Sequence, residues 1–360
     1  MSPEVMSAKA LLYVGDPTGS PSYSGVIDIL SLHGLQYKLV GQIQDDGMPE
    51  GMTTDAAGNL YVADLGVATE GPATGDIKVY PKGSTKYSRY IVPANWVTYD
   101  IAVGPDGTMY VANIAPFAKS SPGSVSIYPP AASQPSRVLR LPNFQVDGIT
   151  LHAQTNTIYI SYQTNASSGN IAKFKHARGK AINLGVSYSE PWAILEDGSN
   201  NLLALDGSGT VEVYSEATGR LVQQIPVPNG AAWEAFNQKR SELFVSNFEQ
   251  VEILSYPTGT LLGSINEGWS TSNYPTGVAY WPPPGELRER QPSGGLSAYG
   301  ARVKDAYEAE VMIERKARCN RNCRVVGSND FDPYDLTGAV EINVDAIVVV
   351  ESLRASNGIT

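Results

Sequence analysis

The sequence predicts an all-β fold: a six-bladed β-propeller closed by its own two ends, with a small α+β extension behind it. Three observations carry this prediction. A short phrase recurs six times, namely a polar or glycine-tipped turn followed by an apolar strand that ends in a small polar residue. The copies centre on Tyr13, Tyr61, Tyr110, Tyr159, Leu203 and Phe244, at spacings of 48, 49, 49, 44 and 41 residues. A period of about 40–50 residues made only of short strands indicates four-stranded sheets stacked around an axis. Each period also holds four strand signals, one four-stranded sheet that cannot bury both of its faces alone and so stacks on its neighbours.

The first strand precedes the phrase, as in Gly51-Met52-Thr53-Thr54, Asp100-Ile101-Ala102-Val103, Gly148-Ile149-Thr150-Leu151 and Gly277-Val278-Ala279-Tyr280. The phrase itself is the second strand. The third alternates apolar with polar residues, as in Ile77-Lys78-Val79-Tyr80 and Val251-Glu252-Ile253-Leu254, and so reads as half-exposed. The fourth is the most polar, as in Arg137-Val138-Leu139-Arg140, as expected of a blade edge. Turns such as Ala57-Gly58-Asn59, Pro105-Asp106-Gly107, Ala217-Thr218-Gly219 and Pro257-Thr258-Gly259 supply the positive φ that tight hairpins need. The chain opens with a second strand at Leu11 and ends its repeats with a first strand at Gly277–Trp281. Those two half-sets make one blade, so six blades cover residues 8–284.

Composition shifts after Trp281-Pro282-Pro283-Pro284. Residues 285–360 hold 22 charged residues in 76, twice the charge density of what precedes them. This extension is predicted to contain a helix over 301–318, with Val303, Tyr307 and Val311 on one stripe, and a β-rich stretch over 339–350. Its apolar run Ala346–Val350 suits packing on its own propeller, contact with a protein partner, or self-association. Cys319 and Cys323 form Cys-x3-Cys. A metal site needs about four ligands, and His33, His152 and His176 all lie in the propeller, so a disulfide and free thiols are the readings left open.

The net charge is −10, which gives no reason to expect nucleic acid or an anionic membrane as partner. No apolar run approaches the ~18 residues of a membrane span. The first residues show no basic segment followed by an apolar core, so a cytoplasmic protein and the mature form of an extracellular one both fit. The propeller axis is the default ligand site, because the first-strand starts converge there. The residues at those starts are Glu50, Tyr99, Asp100, Asp147, Glu190, Trp192, Trp233 and Thr276. Their carboxylates suit a hard cation such as calcium, an acid–base pair, or plain solvation of the channel. A Ser-His-Asp set is not supported, because His152, the histidine nearest a first strand, lies at that strand's far end. No glycine-rich loop leads from a strand into a helix, which disfavours a phosphate cradle.

The segments Pro49-Glu50-Gly51-Met52-Thr53-Thr54-Asp55-Ala56-Ala57-Gly58-Asn59-Leu60-Tyr61-Val62-Ala63-Asp64 and Asp100–Asn113 resemble the NHL-repeat and SMP-30/gluconolactonase-like six-bladed propellers. The resemblance spans roughly residues 8–284. It implies either a binding scaffold or a calcium-dependent lactonase or esterase with the ion on the axis. Under the second reading Glu50, Asp147 and Glu190 would hold calcium as a Lewis acid. The early Glu-x-Pro-x-Trp-like signature of the lactonases and their axial asparagines are absent. A binding scaffold with an axial funnel is therefore the first expectation, its partner a small molecule or a protein.

Overall fold

The computed structural model describes residues 3–17, 25–45, 47–65, 75–93, 97–114, 122–141, 145–165, 168–227, 230–247, 249–266 and 275–284. The predicted extension, with its helix, its β-rich stretch, Cys319 and Cys323, lies outside the described residues.

Six four-stranded antiparallel sheets form the fold. Blade I joins Val278–Trp281 to Leu11–Pro17, Gly25–His33 and Gln36–Asp45. Blade II runs Pro49–Thr54, Leu60–Asp64, Asp76–Tyr80 and Arg89–Ile91. Blade III runs Val97–Val103, Met109–Ile114, Ser124–Tyr128 and Arg137–Arg140. Blade IV runs Gln145–His152, Thr157–Asn165, Ser168–Phe174 and Ile182–Asn183. Blade V runs Pro191–Glu196, Asn201–Asp206, Thr210–Ser215 and Leu221–Pro226, and blade VI runs Trp233–Phe236, Glu242–Ser246, Val251–Ser255 and Leu261–Ile265. The ring closes as the sequence predicts: Leu11 pairs with Trp281, Leu12 with Tyr280, Tyr13 with Ala279 and Val14 with Val278. The glycines of the four predicted turns, Gly58, Gly107, Gly219 and Gly259, all have positive φ. A short helix, Pro3–Ser7, which the sequence reading did not foresee, buries Val5 against Leu11, Tyr13 and Ile29.

The repeated phrase is apolar without interruption because its strand is buried on both faces. Successive side chains point to opposite sides of a strand, so each phrase feeds two cores. Leu60 and Val62 pack toward blade I, whereas Tyr61 and Ala63 pack toward blade III. Leu202 and Ala204 face blade IV, and Leu203 and Leu205 face blade VI. Each such aliphatic side chain contributes about 1.5–3 kcal/mol on burial, repeated around the ring.

The third strands depart from expectation. Their polar residues are not exposed, since Asp28, Lys78, Ser126, Glu212 and Glu252 are all buried. The reason is again two-sided packing: a blade's third strand still faces its neighbours, so a polar residue there must find a buried partner. Asn113 Nδ2 donates to Ser126 Oγ at 3.0 Å and Asn247 Nδ2 to Glu252 Oε1 at 3.2 Å. In blade II, Lys78 Nζ stands 2.5 Å from Asp45 Oδ1, 2.8 Å from Asp64 Oδ2 and 3.6 Å from Asp76 Oδ1. The fourth strands are exposed as predicted, Leu221–Pro226 most plainly. They latch to the next blade's outer hairpin: the Arg89 guanidinium meets the Ala132 carbonyl, Arg137 Nη1 the Ala177 carbonyl at 3.0 Å, and Gln223 Nε2 the Pro257 carbonyl at 2.6 Å.

Candidate functional site: the mouth of the axis

Antiparallel order puts every first-strand start on one face, here termed the mouth. Aligning the six starts gives two columns of residues. The outer column is Glu50, Tyr99, Asp147, Trp192 and Thr276, and the column one residue deeper is Gly51, Asp100, Gly148, Ala193, Trp233 and Gly277, Trp233 facing Ser246 as Gly51 faces Ala63. In blades II to V the register slips at this point, between Pro49 and Gly51, Thr98 and Asp100, Val146 and Gly148, and Pro191 and Ile194. A bulge adds a residue and re-aims its side chain. Glu50, Tyr99, Asp147 and Trp192 are the residues so displaced, which is why first-strand starts bear the polar and aromatic side chains that regular alternation would exclude.

Outer-column residues meet one another and Trp233 of the deeper column. Trp233 Nε1 donates to Glu50 Oε2 at 3.0 Å, linking blade VI to blade II. Tyr99 of blade III lies 5.4 Å from Trp233 and 6.4 Å from Trp192 between ring centroids, the planes inclined at 45° and 38°. These tilted contacts fit the preferred geometry of aromatic pairs. Trp233 is buried, whereas Tyr99 and Trp192 keep part of their surface in solvent. The three rings therefore form one aromatic floor at the mouth, of which Tyr99 and Trp192 offer accessible surface. Thr276 serves the ring closure instead: its hydroxyl donates to the Pro49 carbonyl, and its amide donates to the Gly15 carbonyl at 2.8 Å. Glu190 stands apart on the rim, exposed, at φ 40°, its carbonyl accepting the Gly207 amide at 3.0 Å.

The acids of this region are buried. Burial pushes the Glu50 carboxyl up to about 7, with the Trp233 bond pulling it partly back. Asp100 is likewise pushed up to about 7 by burial, opposed by the Ile149 amide at 2.8 Å and its neighbour Ile101 at 2.7 Å. Asp147 lies well above the ordinary carboxylate range through burial. Its Oδ1 meets Gln163 Nε2 at 3.4 Å and its Oδ2 has no hydrogen-bond partner among the described residues.

Glu234, which the sequence reading did not select, is raised strongly by burial and by the nearby Asp100. Neither of its oxygens has a partner at normal hydrogen-bond length among the described residues. The signal that finds it is the blade alignment, where it stands in the row that Met52, Ile101, Ile149 and Ile194 fill in other blades, an acid at an otherwise apolar position.

The proposed calcium ligands do not form a set. Glu50 is tied to Trp233 and Glu190 is out on the rim. No group of three or more His, Cys, Asp or Glu side chains that could hold a metal ion occurs among the described residues.

No family model matches the chain, and no curated protein matches it in sequence. Solved structures do match. One is a chain of a nidogen/laminin complex, at TM-score 0.58 and 12% identity over 75% of this chain and 98% of that one. Another is TolB from Acinetobacter baumannii, at TM-score 0.56 and 12% identity over 75% of this chain and 66% of that one. At this identity the likeness shows the fold alone, a six-bladed β-propeller, and 1340 solved chains match in all. A fold so widely shared does not select an activity. No helix among the described residues is long and apolar enough to cross a membrane, which leaves strand-spanning proteins untouched.

Proposed function

We propose that this propeller is a binding scaffold whose mouth takes a cationic group, an ammonium or guanidinium borne by a small molecule or by a protein side chain. The observation that carries the reading is the aromatic floor of Tyr99, Trp192 and Trp233, in which Tyr99 and Trp192 are part-exposed, with the buried carboxylate of Glu50 bonded to Trp233. A cation over such rings gains about 0.5–2 kcal/mol per contact through the ring quadrupole. The rim adds Glu190, which is exposed and carries negative charge toward the same face.

The resemblance to NHL-type propellers supports a scaffold role, and the likeness to a propeller crystallised within a nidogen/laminin complex agrees with it as analogy. Binding is favoured over hydrolysis because the acids are engaged or stranded: Glu50 accepts an indole N–H and Asp100 accepts two backbone amides.

The test is titration of the full chain with tetramethylammonium and with an arginine-bearing peptide, read by tryptophan fluorescence. A saturable change that is lost in Trp192→Ala and Tyr99→Ala supports the reading. No saturable change, or one that both variants keep, refutes it. A melting temperature that rises with calcium and falls with chelator would instead favour the hydrolase.

A further inference from the structure

We propose that the face opposite the mouth carries a docking surface for an acidic protein segment. This face is formed by the hairpins between first and second strands and, farther out, between third and fourth strands. The outer hairpins of blades II, III and IV span residues 81–88, 129–136 and 175–181. They and the strand starts beside them bear Lys82, Lys86, Arg137, Lys175, Arg178 and Lys180. All but the half-buried Lys82 are exposed.

Two hydrogen bonds make the surface continuous. Arg89 of blade II reaches the Ala132 carbonyl in the hairpin of blade III, and Arg137 of blade III reaches the Ala177 carbonyl in that of blade IV. The cations therefore form one arc over three neighbouring blades.

The nearest acid of the next outer hairpin, Glu216 of blade V, pairs with Lys173 at 3.4 Å and not with the arc. No ion pair among the described residues engages Lys86, Arg137, Lys175, Arg178 or Lys180. The carboxylates in the inner hairpins of the same blades are occupied in their own turns, Asp55 by Asn59 and Tyr61 and Asp106 by Thr108. In a chain of net charge −10, so many unopposed cations side by side are a segregation of charge, not a result of composition.

The chemistry names the partner. Lys and Arg in an exposed arc attract carboxylates and raise the rate of encounter. Beside Lys86, Tyr87 and Tyr90 are about half exposed, with their rings stacked at 5.4 Å. They offer the aromatic anchor that protein interfaces favour. The negative field of the whole molecule opposes a polyphosphate along its length more than it opposes a short acidic segment.

The experiment uses the full chain and a fluorescein-labelled glutamate-rich peptide with one central leucine, read by anisotropy. The expected result is binding at low ionic strength that weakens with salt. Lys175→Glu/Arg178→Glu/Lys180→Glu should bind about tenfold more weakly or worse, since three attractions become three repulsions. Lys86→Glu/Arg137→Glu is a second, separate variant of the same arc, and circular dichroism and melting confirm that both fold. Unchanged affinity in two folded variants overturns the proposal. So does tighter binding of oligo-dT or of phosphatidylserine vesicles than of the peptide.

Discussion

Trp233 and Glu50 come from blades VI and II, yet the indole Nε1 of one donates to the carboxyl Oε2 of the other at 3.0 Å. The bond spans the axis and ties two non-adjacent blades directly. Both partners are buried, so losing the donor strands an acceptor with no water to replace it. Trp233→Phe keeps a ring against Tyr99 and removes the N–H. It is expected to cost about 1–3 kcal/mol in urea denaturation, the penalty of a buried unsatisfied group. It should also move Glu50 further up, because the Trp233 bond is what lowers it. An unchanged denaturation midpoint would show that the cross-axis bond does not hold the ring.

The buried axial acids give a pH dependence of definite sign. Glu50 and Asp100 go from 4.5 and 3.8 to about 7 in the folded chain. The folded state therefore binds more protons than the unfolded state between those values, and stability falls as pH rises. Their contribution is full below about pH 4 and is lost as pH passes through about 7. For Glu50 alone the shift corresponds to on the order of 3 kcal/mol. Melting temperature should decline from mildly acidic to mildly alkaline pH, and Glu50→Gln and Asp100→Asn should each flatten the decline. Profiles that stay parallel to that of the unmodified chain would contradict this.

The blade count, the ring closure and the outer column of the mouth were legible because each is a periodic or positional signal. Leu11 opposite Trp281 follows from counting strands, and Glu50, Tyr99, Asp147 and Trp192 break the alternation of their strands where the bulges lie. Glu234 was missed because its strand, Trp233–Phe236, begins with a more conspicuous residue. Lys78 was misjudged for a different reason. Alternation says that a residue faces away from its neighbours in the strand, but not whether solvent or another blade lies on that side. Only the ring geometry makes both sides interior.

Lys78 therefore supports a sharper prediction than its sequence position allowed. It is buried with Asp45, Asp64 and Asp76 around it, and Asp45 ends blade I while the other two belong to blade II. Tyr80 adds its hydroxyl to Asp45 Oδ2 at 2.8 Å. Burial alone would lower the lysine, but the three aspartates outweigh it and hold it charged. Asp64 is raised by burial and by Asp45, against the pull of Lys78. Lys78→Met leaves buried carboxylates without their cation and should cost about 3–5 kcal/mol. Adding Asp45→Asn and Asp64→Asn to that variant should recover part of the loss. Denaturation midpoints of the three proteins decide it, and a triple variant less stable than Lys78→Met would show that the charges are not the cause.

Close approach of neighbouring first strands near the axis depends on glycine in the deeper column. A Cβ on Gly51 would fall 2.7 Å from the Tyr99 carbonyl oxygen and press on the Asp100 backbone. One on Gly148 would stand 2.6 Å from the Trp192 carbonyl oxygen and 2.9 Å from the Ala193 carbonyl carbon. Backbone cannot swing aside as a flexible side chain can, so the blades themselves must move. Gly51→Ala and Gly148→Ala should each destabilise by about 1–3 kcal/mol, the cost of overpacking. The Gly51 variant has a second consequence, because displacing Tyr99 and Asp100 disturbs the aromatic floor. Its tryptophan emission should shift and its response to tetramethylammonium should weaken. Gly34→Ala is the reference, since that glycine has open space around its Cβ position and differs only in its positive φ of 60°. If Gly51→Ala is no more costly than Gly34→Ala and leaves the emission unchanged, the floor does not depend on the spacing of blades II and III.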